Sequence, residues 1–346
     1  MSNPELIPGE ITSAYFAGPV GVRKLSGGML NVTALVTDFD GRDVVVQQLN
    51  PGVFDEGVVE DYQVVSNHLA REGWVVPQVV TTREGGAYKK DQEGGIWRAT
   101  NFVESDATEG DAVSAGSLAV YGALLADLHG SLAKLEYDPI FQLPHFHETS
   151  YHAQNLLEAL PNLPTEDAKT MAVEVMDAYG RLDPLPDMGV QLIHGDPRTA
   201  NTLRRNGEPF TFIDWDTLMK GTIWMDIGDM LRSLGEDAVV DGKEVPIDEF
   251  EAVIEGYRQH AQPDADPEEF RRAGLGATKL ITAELTMRFI ADYKDGDEGY
   301  FGWDDDVSNG GYASRHDHNM TRARNNWQIF QAIEASETTH TNEGQL

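Results

Sequence analysis

No cysteine occurs among the 346 residues, which excludes disulfides, thiolate metal sites and a cysteine nucleophile. Basic residues are scarce as well: 26 Lys and Arg stand against 58 Asp and Glu, a formal net charge of −32. Such a chain is a poor partner for nucleic acid or an acidic lipid surface, and the ordinary account of its charge is a solvated acidic shell, suited to high salt. No run approaches the roughly 18 consecutive apolar residues of a membrane span. Met1-Ser2-Asn3-Pro4-Glu5 carries no basic leader, so a cytoplasmic protein without membrane association is expected. Hydrophobic residues at 40% still suffice for real cores, and the length favours two lobes over one.

The stretch that carries chemistry runs from Leu192 to Asp216. Two short apolar runs, Val190 to Ile193 and Phe210 to Ile213, flank a polar middle with a turn signal at Asn206-Gly207-Glu208-Pro209, which reads as strand, loop, hairpin, strand. Phosphoryl transfer to a hydroxyl needs a carboxylate to orient the attacking oxygen and take its proton, with oxygen ligands for Mg²⁺ on the nucleotide phosphates. Asp196 supplies the first, Asn201 and Asp214 the second, and Asp216 is a supporting or second-metal residue. Any one of these taken singly reads as readily as a helix cap or a turn former.

His194-Gly195-Asp196 with Asn201 five positions on resembles the H-R-D-x-x-x-x-N catalytic loop of protein kinases, and Ile213-Asp214-Trp215-Asp216 stands where those enzymes carry Asp-Phe-Gly. Glycine after the histidine and the hydrophobic-Asp-x-Asp ending are similar to the aminoglycoside phosphotransferase and choline kinase branch. The resemblance implies an α+β, two-lobed protein-kinase-like fold. A β-rich nucleotide-binding lobe would span residues 1–104, a hinge 105–111, a mainly helical catalytic and substrate lobe 112–335, and a polar, disordered tail 336–346. ATP would be the co-substrate and Mg²⁺ the cofactor.

Residues 7–104 read as strand-rich, with a hairpin whose tip holds Ser26, Gly27 and Gly28. Kinase-like folds lay such a loop over nucleotide phosphates, although an ordinary β-turn looks the same. The third strand carries Gln47-Gln48 where kinases have Lys. Glutamine hydrogen-bonds a phosphate but brings no charge, so a dead site is one consequence, and Arg23 and Lys24 are either compensating bases or exposed cations. Val58 to Glu72 has helical spacing; with no Lys to pair, Glu60 and Asp61 are read as solvated. Val75 to Thr82 and Trp97 to Glu104 read as strands. The second carries Phe102, an adenine-pocket residue by analogy and a plain core residue by packing.

Helical spacing continues over Ala112 to Leu135, Glu166 to Leu182, Trp224 to Leu234, Ile247 to Gln259, Asp266 to Tyr293 and Met320 to Ala335. His145-Phe146-His147-Glu148 has metal-like spacing but no third clustered ligand, and is read as a loop. Asp226 either caps a helix or accepts hydrogen bonds from the catalytic loop, which His194 would also support.

Val45 to Asn50, Gly95 to Arg98, His145 to Thr149, Asp226 to Asp229 and Met287 to Tyr293 resemble the bacterial N-acetylhexosamine 1-kinases. That resemblance implies transfer to the anomeric hydroxyl of an N-acetylhexosamine, with Asp196 as base, Asn201 and Asp214 on the metal, and Ser26, Gly27, Gly28, Gln47 and Phe102 on the nucleotide. Asn31, Thr217, Arg288 and Tyr300 would meet the sugar. On its own chemistry Arg288 either snorkels to solvent or pairs inside a cleft, and Tyr300 stacks on a ring or anchors a loop. Met29 and Ser233 depart from that family's His and Phe, and an insertion falls around Glu298-Gly299. A kinase of another small alcohol (aminoglycoside, choline or homoserine) and an inactive nucleotide-binding pseudokinase stay as alternatives.

Overall fold

The computed structural model describes residues 6–25, 31–106, 117–295 and 315–343. Ser26, Gly27, Gly28, Met29 and Tyr300 lie outside them, as does 107–111 of the expected hinge. A β-sheet N-terminal region and a helical C-terminal part make the two lobes of a kinase-like α+β fold.

The β-branched stretches of the first lobe build one antiparallel sheet. β1 (Gly21–Lys24), β2 (Val32–Thr37), β3 (Asp43–Gln48), β4 (Tyr88–Lys90) and β5 (Ile96–Asn101) lie in the order β1-β2-β3-β5-β4. Alternate residues Ala34, Val36, Val44, Val46, Trp97 and Ala99 fill one face, where Ile11 and Tyr15 of α1 (Gly9–Tyr15) cover them. Helix α2 (Gly57–Arg71) buries Val58, Val59, Tyr62, Val65 and Leu69, the stripe its spacing predicts.

Three expectations fail here. Val75 to Thr82 is not a strand: a single bridge, Val79 opposite Thr100, joins it to β5, with the Val80 N–H donating to the Ala99 carbonyl at 2.8 Å and Gln78 accepting the Asn101 N–H at 3.0 Å. The short β4 takes the sheet edge in its place. Asp61 is not solvated but buried, its carboxylate accepting from Tyr137 Oη at 2.6 Å and from the N–H groups of Ile140 and Phe141 at 2.9 and 2.8 Å. The third concerns the tail, where the last helix runs on through Glu343 instead of ending near 335.

The second lobe consists of α3 (Leu118–Leu132), α4 (Thr149–Ala159), α5 (Glu166–Tyr179), α6 (Ile223–Val240), α7 (Ile247–Ala261), α8 (Pro267–Asp295) and α9 (Arg315–Glu343). One core joins Tyr121 and Leu125 of α3 to Trp224, Phe250 and Tyr257, and a second joins α4 and α5 to Met287 and Phe289 of α8 and Trp327 and Phe330 of α9. No helix among the described residues is long and apolar enough to cross a membrane.

Two small antiparallel ribbons carry the Leu192 to Asp216 segment. β6 (Gln191–Ile193) pairs with β9 (Met219–Gly221), and β7 (Thr202–Arg205) pairs with β8 (Glu208–Phe212). Asn206 and Gly207, at φ 54° and 79°, supply the two positive values that a tight two-residue hairpin turn requires.

Asp61 joins α2 to the 137–141 segment and satisfies two backbone donors, those of Ile140 and Phe141. Asp61→Ala should lower unfolding free energy by about 3 kcal/mol, the cost of leaving buried N–H groups unpaired. Urea denaturation monitored by circular dichroism checks this; a loss below about 0.5 kcal/mol would count against the buried role.

Candidate active site

The catalytic-type loop from His194 to Asn201 hangs between β6 and β7, and its backbone is held from below by α6. Asp226, in the first turn of α6, accepts from the N–H of His194 (Oδ2, 2.8 Å) and of Gly195 (Oδ1, 2.8 Å). His129 of α3 donates from Nε2 to Asp226 Oδ2 at 2.9 Å, and its Nδ1 lies 2.8 Å from Tyr257 Oη. Burial pushes the Asp226 carboxyl up, but the His129 hydrogen bond and charge with the loop N–H groups outweigh it and hold the group below the usual carboxylate range. Asp226 thus ties two consecutive loop N–H groups to α6.

His194 is fully buried and also supports the loop. Its Nε2 donates to the carbonyl of Ile213 at 3.0 Å, which leaves Nδ1 to accept the N–H of Asp196 at 3.3 Å. Burial pushes its pKa down, consistent with a neutral ring in that tautomer. Thr217 donates from Oγ1 to the His194 carbonyl at 3.1 Å. Gly195 has φ +86°, and a Cβ there would stand 2.3 Å from the Thr217 carbonyl, so no other residue fits.

Asp196 emerges partly exposed from this scaffold. Asn201 Nδ2 donates to the Asp196 carbonyl at 2.9 Å and to its Oδ2 at 3.0 Å, and Arg198 Nε lies 3.4 Å from the same Oδ2. Because both Asp196 oxygens only accept, the Asn201 amide nitrogen must face them, and its oxygen is left as the atom able to bind a cation. Asp214 follows β8 with φ +69°, a value uncommon for a non-glycine residue, and its Oδ1 is buried with no hydrogen-bond partner among the described residues. Burial first and the Asp216 charge second push the Asp214 carboxyl up to about 7, while Arg98 opposes them. A bare buried carboxylate oxygen and a free amide oxygen are the donor types that suit a divalent cation shared with phosphates, which takes few protein ligands.

Asp216 is placed otherwise than as a bare metal ligand. Both of its oxygens are gripped by Arg98, and Asn31 Nδ2 donates to Oδ2 at 3.2 Å. Gln47 accepts from Arg98 on Oε1 and donates to Thr33 Oγ1 at 3.3 Å, and Asn31 also accepts the Asn50 N–H at 3.1 Å. Phe102 follows β5 and is 37% exposed. Arg288 is half-buried on α8, beside Phe289, whose ring lies 3.9 Å from Arg322 Cζ.

His145 to Glu148 is more than a plain loop. His147 is buried, donates from Nε2 to the Gly195 carbonyl at 2.8 Å, and pairs through Nδ1 with Glu284 of α8 at 3.2 Å. Thr149 adds a bond to Glu284 at 2.5 Å. Arg198 and Glu284 have no role in the sequence reading, and Arg98 and His147 stand in quoted segments without one. Only the dense histidine run and an arginine inside an apolar strand hinted at two of them.

Residues 21–272 match the model of the phosphotransferase enzyme family, APH. The chain belongs to that family. Among solved structures, this phosphotransferase is similar to a microcompartment-associated aminopropanol kinase (15% identity, 94% of this chain and 96% of that one, TM-score 0.65). It is also similar to an amicoumacin kinase in complex with AMP-PNP, Ca²⁺ and Ami (17%, 94% and 92%, TM-score 0.62) and to choline kinase from Cryptosporidium parvum (13%, 97% and 96%, TM-score 0.59). At these identities the likeness is one of fold.

The His147–Glu284 pair gives the phosphotransferase a pH dependence. Burial pulls the imidazole down, but the Glu284 hydrogen bond and charge outweigh it and raise His147 from 6.5 to about 9. A raised histidine contributes fully below its unfolded value and loses that contribution as pH rises through the folded one. The stability deficit of His147→Gln relative to the unaltered protein should therefore shrink by about 3 kcal/mol between pH 6 and pH 10, measured by urea unfolding. A deficit that stays constant across that range would contradict a charged His147.

Proposed function

We propose that this protein transfers the γ-phosphoryl group of ATP to the anomeric hydroxyl of an N-acetylhexosamine or a related sugar. The observation that carries the chemistry is the Asp196 carboxylate, held in place by Asn201 and Arg198, beside the bare buried oxygen of Asp214. In this reading Asp196 orients the acceptor hydroxyl and takes its proton. Asn201 and Asp214 hold Mg²⁺, which when bound neutralises charge on the nucleotide phosphates. Arg198, anchored on the same loop, faces the negative charge that develops during transfer. Positioning and charge stabilisation account for most of the acceleration.

The sugar acceptor rests on the resemblance of Met287 to Tyr293 and the other quoted segments to the N-acetylhexosamine 1-kinases. Arg288 and Tyr300 would contact the sugar, with Asn31 and Thr217 nearby. Ser26, Gly27, Gly28, Gln47 and Phe102 would border the nucleotide.

ADP release with ATP and Mg²⁺ is to be measured against N-acetylglucosamine, N-acetylgalactosamine, glucose, galactose, choline, homoserine and an aminoglycoside, at low and high salt. Turnover is expected with the N-acetylhexosamines and should stop when the 1-hydroxyl is methylated. Turnover with an amine-bearing acceptor alone would overturn the substrate and keep the chemistry. Asp196→Asn should lower kcat by at least about 1,000-fold while AMP-PNP affinity changes less than about threefold. Unchanged turnover in that variant would sink the base assignment.

A further inference from the structure

Arg98 is a buried cation in the sheet, away from the catalytic loop. It sits in the middle of β5, 1% exposed, directly across the ladder from Gln47 of β3. Nε and Nη2 both donate to Gln47 Oε1, at 3.0 and 2.8 Å. The two terminal nitrogens also fork onto the two oxygens of Asp216, Nη2 at 2.9 Å. On a third side lies Tyr62 of α2, its ring centroid 4.4 Å from Cζ. One guanidinium thus joins β3, β5 and α2 to the segment that carries Asp214.

A kinase-like site sets its cation on β3 as a lysine, aims it at the phosphates and pairs it with a glutamate on the following helix. Here each part is displaced. Position 47 is an amide, the charge is one strand over, its carboxylate partner is Asp216, and the helix offers the face of Tyr62. Nε, both hydrogens of Nη2 and one of Nη1 have acceptors, so four of the five guanidinium donors are committed within the protein. Little of Arg98 is left to reach a phosphate. A lysine at position 47 would place a second cation against the first and remove the acceptor that orients it.

We infer that Arg98 is a positioning residue: oriented by Gln47, it clamps Asp216 and thereby holds Asp214, two residues back, in the left-handed conformation that leaves one carboxylate oxygen bare. Gln47 is then the partner this arrangement requires, not a sign of lost activity. The inference rests on the phosphotransferase reading of Asp196, Asn201 and Asp214, and it predicts that restoring the kinase lysine harms the enzyme.

The test compares Gln47→Lys, Arg98→Lys and the transposed double variant Gln47→Lys/Arg98→Gln in the full chain, with the acceptor that the panel identifies. Readouts are kcat, the Mg²⁺ concentration for half-maximal rate, and calorimetric binding of AMP-PNP with Mg²⁺ and with EDTA; thermal melting confirms folding. Gln47→Lys should lower kcat about 10- to 100-fold and raise half-saturating Mg²⁺ about tenfold, while AMP-PNP binding in EDTA changes less than about threefold. Arg98→Lys keeps the charge but loses the fork, and should fall in the same way. The double variant leaves a single cation, at position 47, so the like-charge contact is gone, and it should recover about fivefold or more over Gln47→Lys. Equal or higher activity in Gln47→Lys, full activity in Arg98→Lys, or metal-free AMP-PNP binding that falls in step with the metal-loaded value would overturn the inference, the last by making Arg98 a direct phosphate contact. Where Arg98→Lys fails to fold, Gln47→Lys decides alone, since it keeps the arginine. Failure of the base assignment would show separately, as turnover retained in Asp196→Asn.

Discussion

A single buried carboxylate, Asp226, is the constraint on which the catalytic loop depends. Two successive backbone N–H groups, those of His194 and Gly195, converge on its two oxygens, and His129 supplies a third donor. A carboxylate taken out of water is tolerable only when so many donors meet it, and its place in the first turn of α6 adds the favourable end of the helix dipole. The convergence fixes the rest. Gly195 is forced to positive φ, the His194 ring is turned toward Ile213, and Asp196 is delivered to the cleft. His147 closes the ring of restraints by taking the carbonyl of Gly195, so the residue before the candidate base is held at both its N–H and its C=O.

The net charge of −32 suggests a poor receiver for a nucleotide, yet distant surface charge is screened over roughly 8–10 Å at ordinary ionic strength. What acts on the reacting groups is local. Arg98 meets Asp216 in a buried fork and Arg198 stands beside Asp196, so two of the few cations in the chain lie where three carboxylates come together. A buried pair of this kind costs desolvation and is a weak source of stability. Its value lies in fixing geometry, which a solvated shell cannot do.

How much of this the sequence discloses follows from distance along the chain. Asp196, Asn201 and Asp214 lie within one 25-residue stretch bounded by alternating apolar runs, and Asp226 opens the next helix, so their association is legible. Arg98 and Asp216 are separated by 118 positions, His147 and Glu284 by 137, and Asp61 and Tyr137 by 76. No local pattern registers a partner that far away, which is why Asp61 reads as solvated and His147 as part of a loop. The continuation of α9 is not legible either, because a polar helix end and a polar coil share one composition.

Ser233 adds a second hold on the catalytic loop. The serine hydroxyl takes the N–H of Thr199 at 3.2 Å and lies 3.1 Å from its Oγ1, which also donates to Asp237 at 2.7 Å. The catalytic loop is therefore anchored to α6 twice, by Asp226 at its first residues and by Ser233 and Asp237 close to its last. A change at 233 therefore loosens the hold on Thr199 and, through it, acts on the catalytic loop that carries the candidate base.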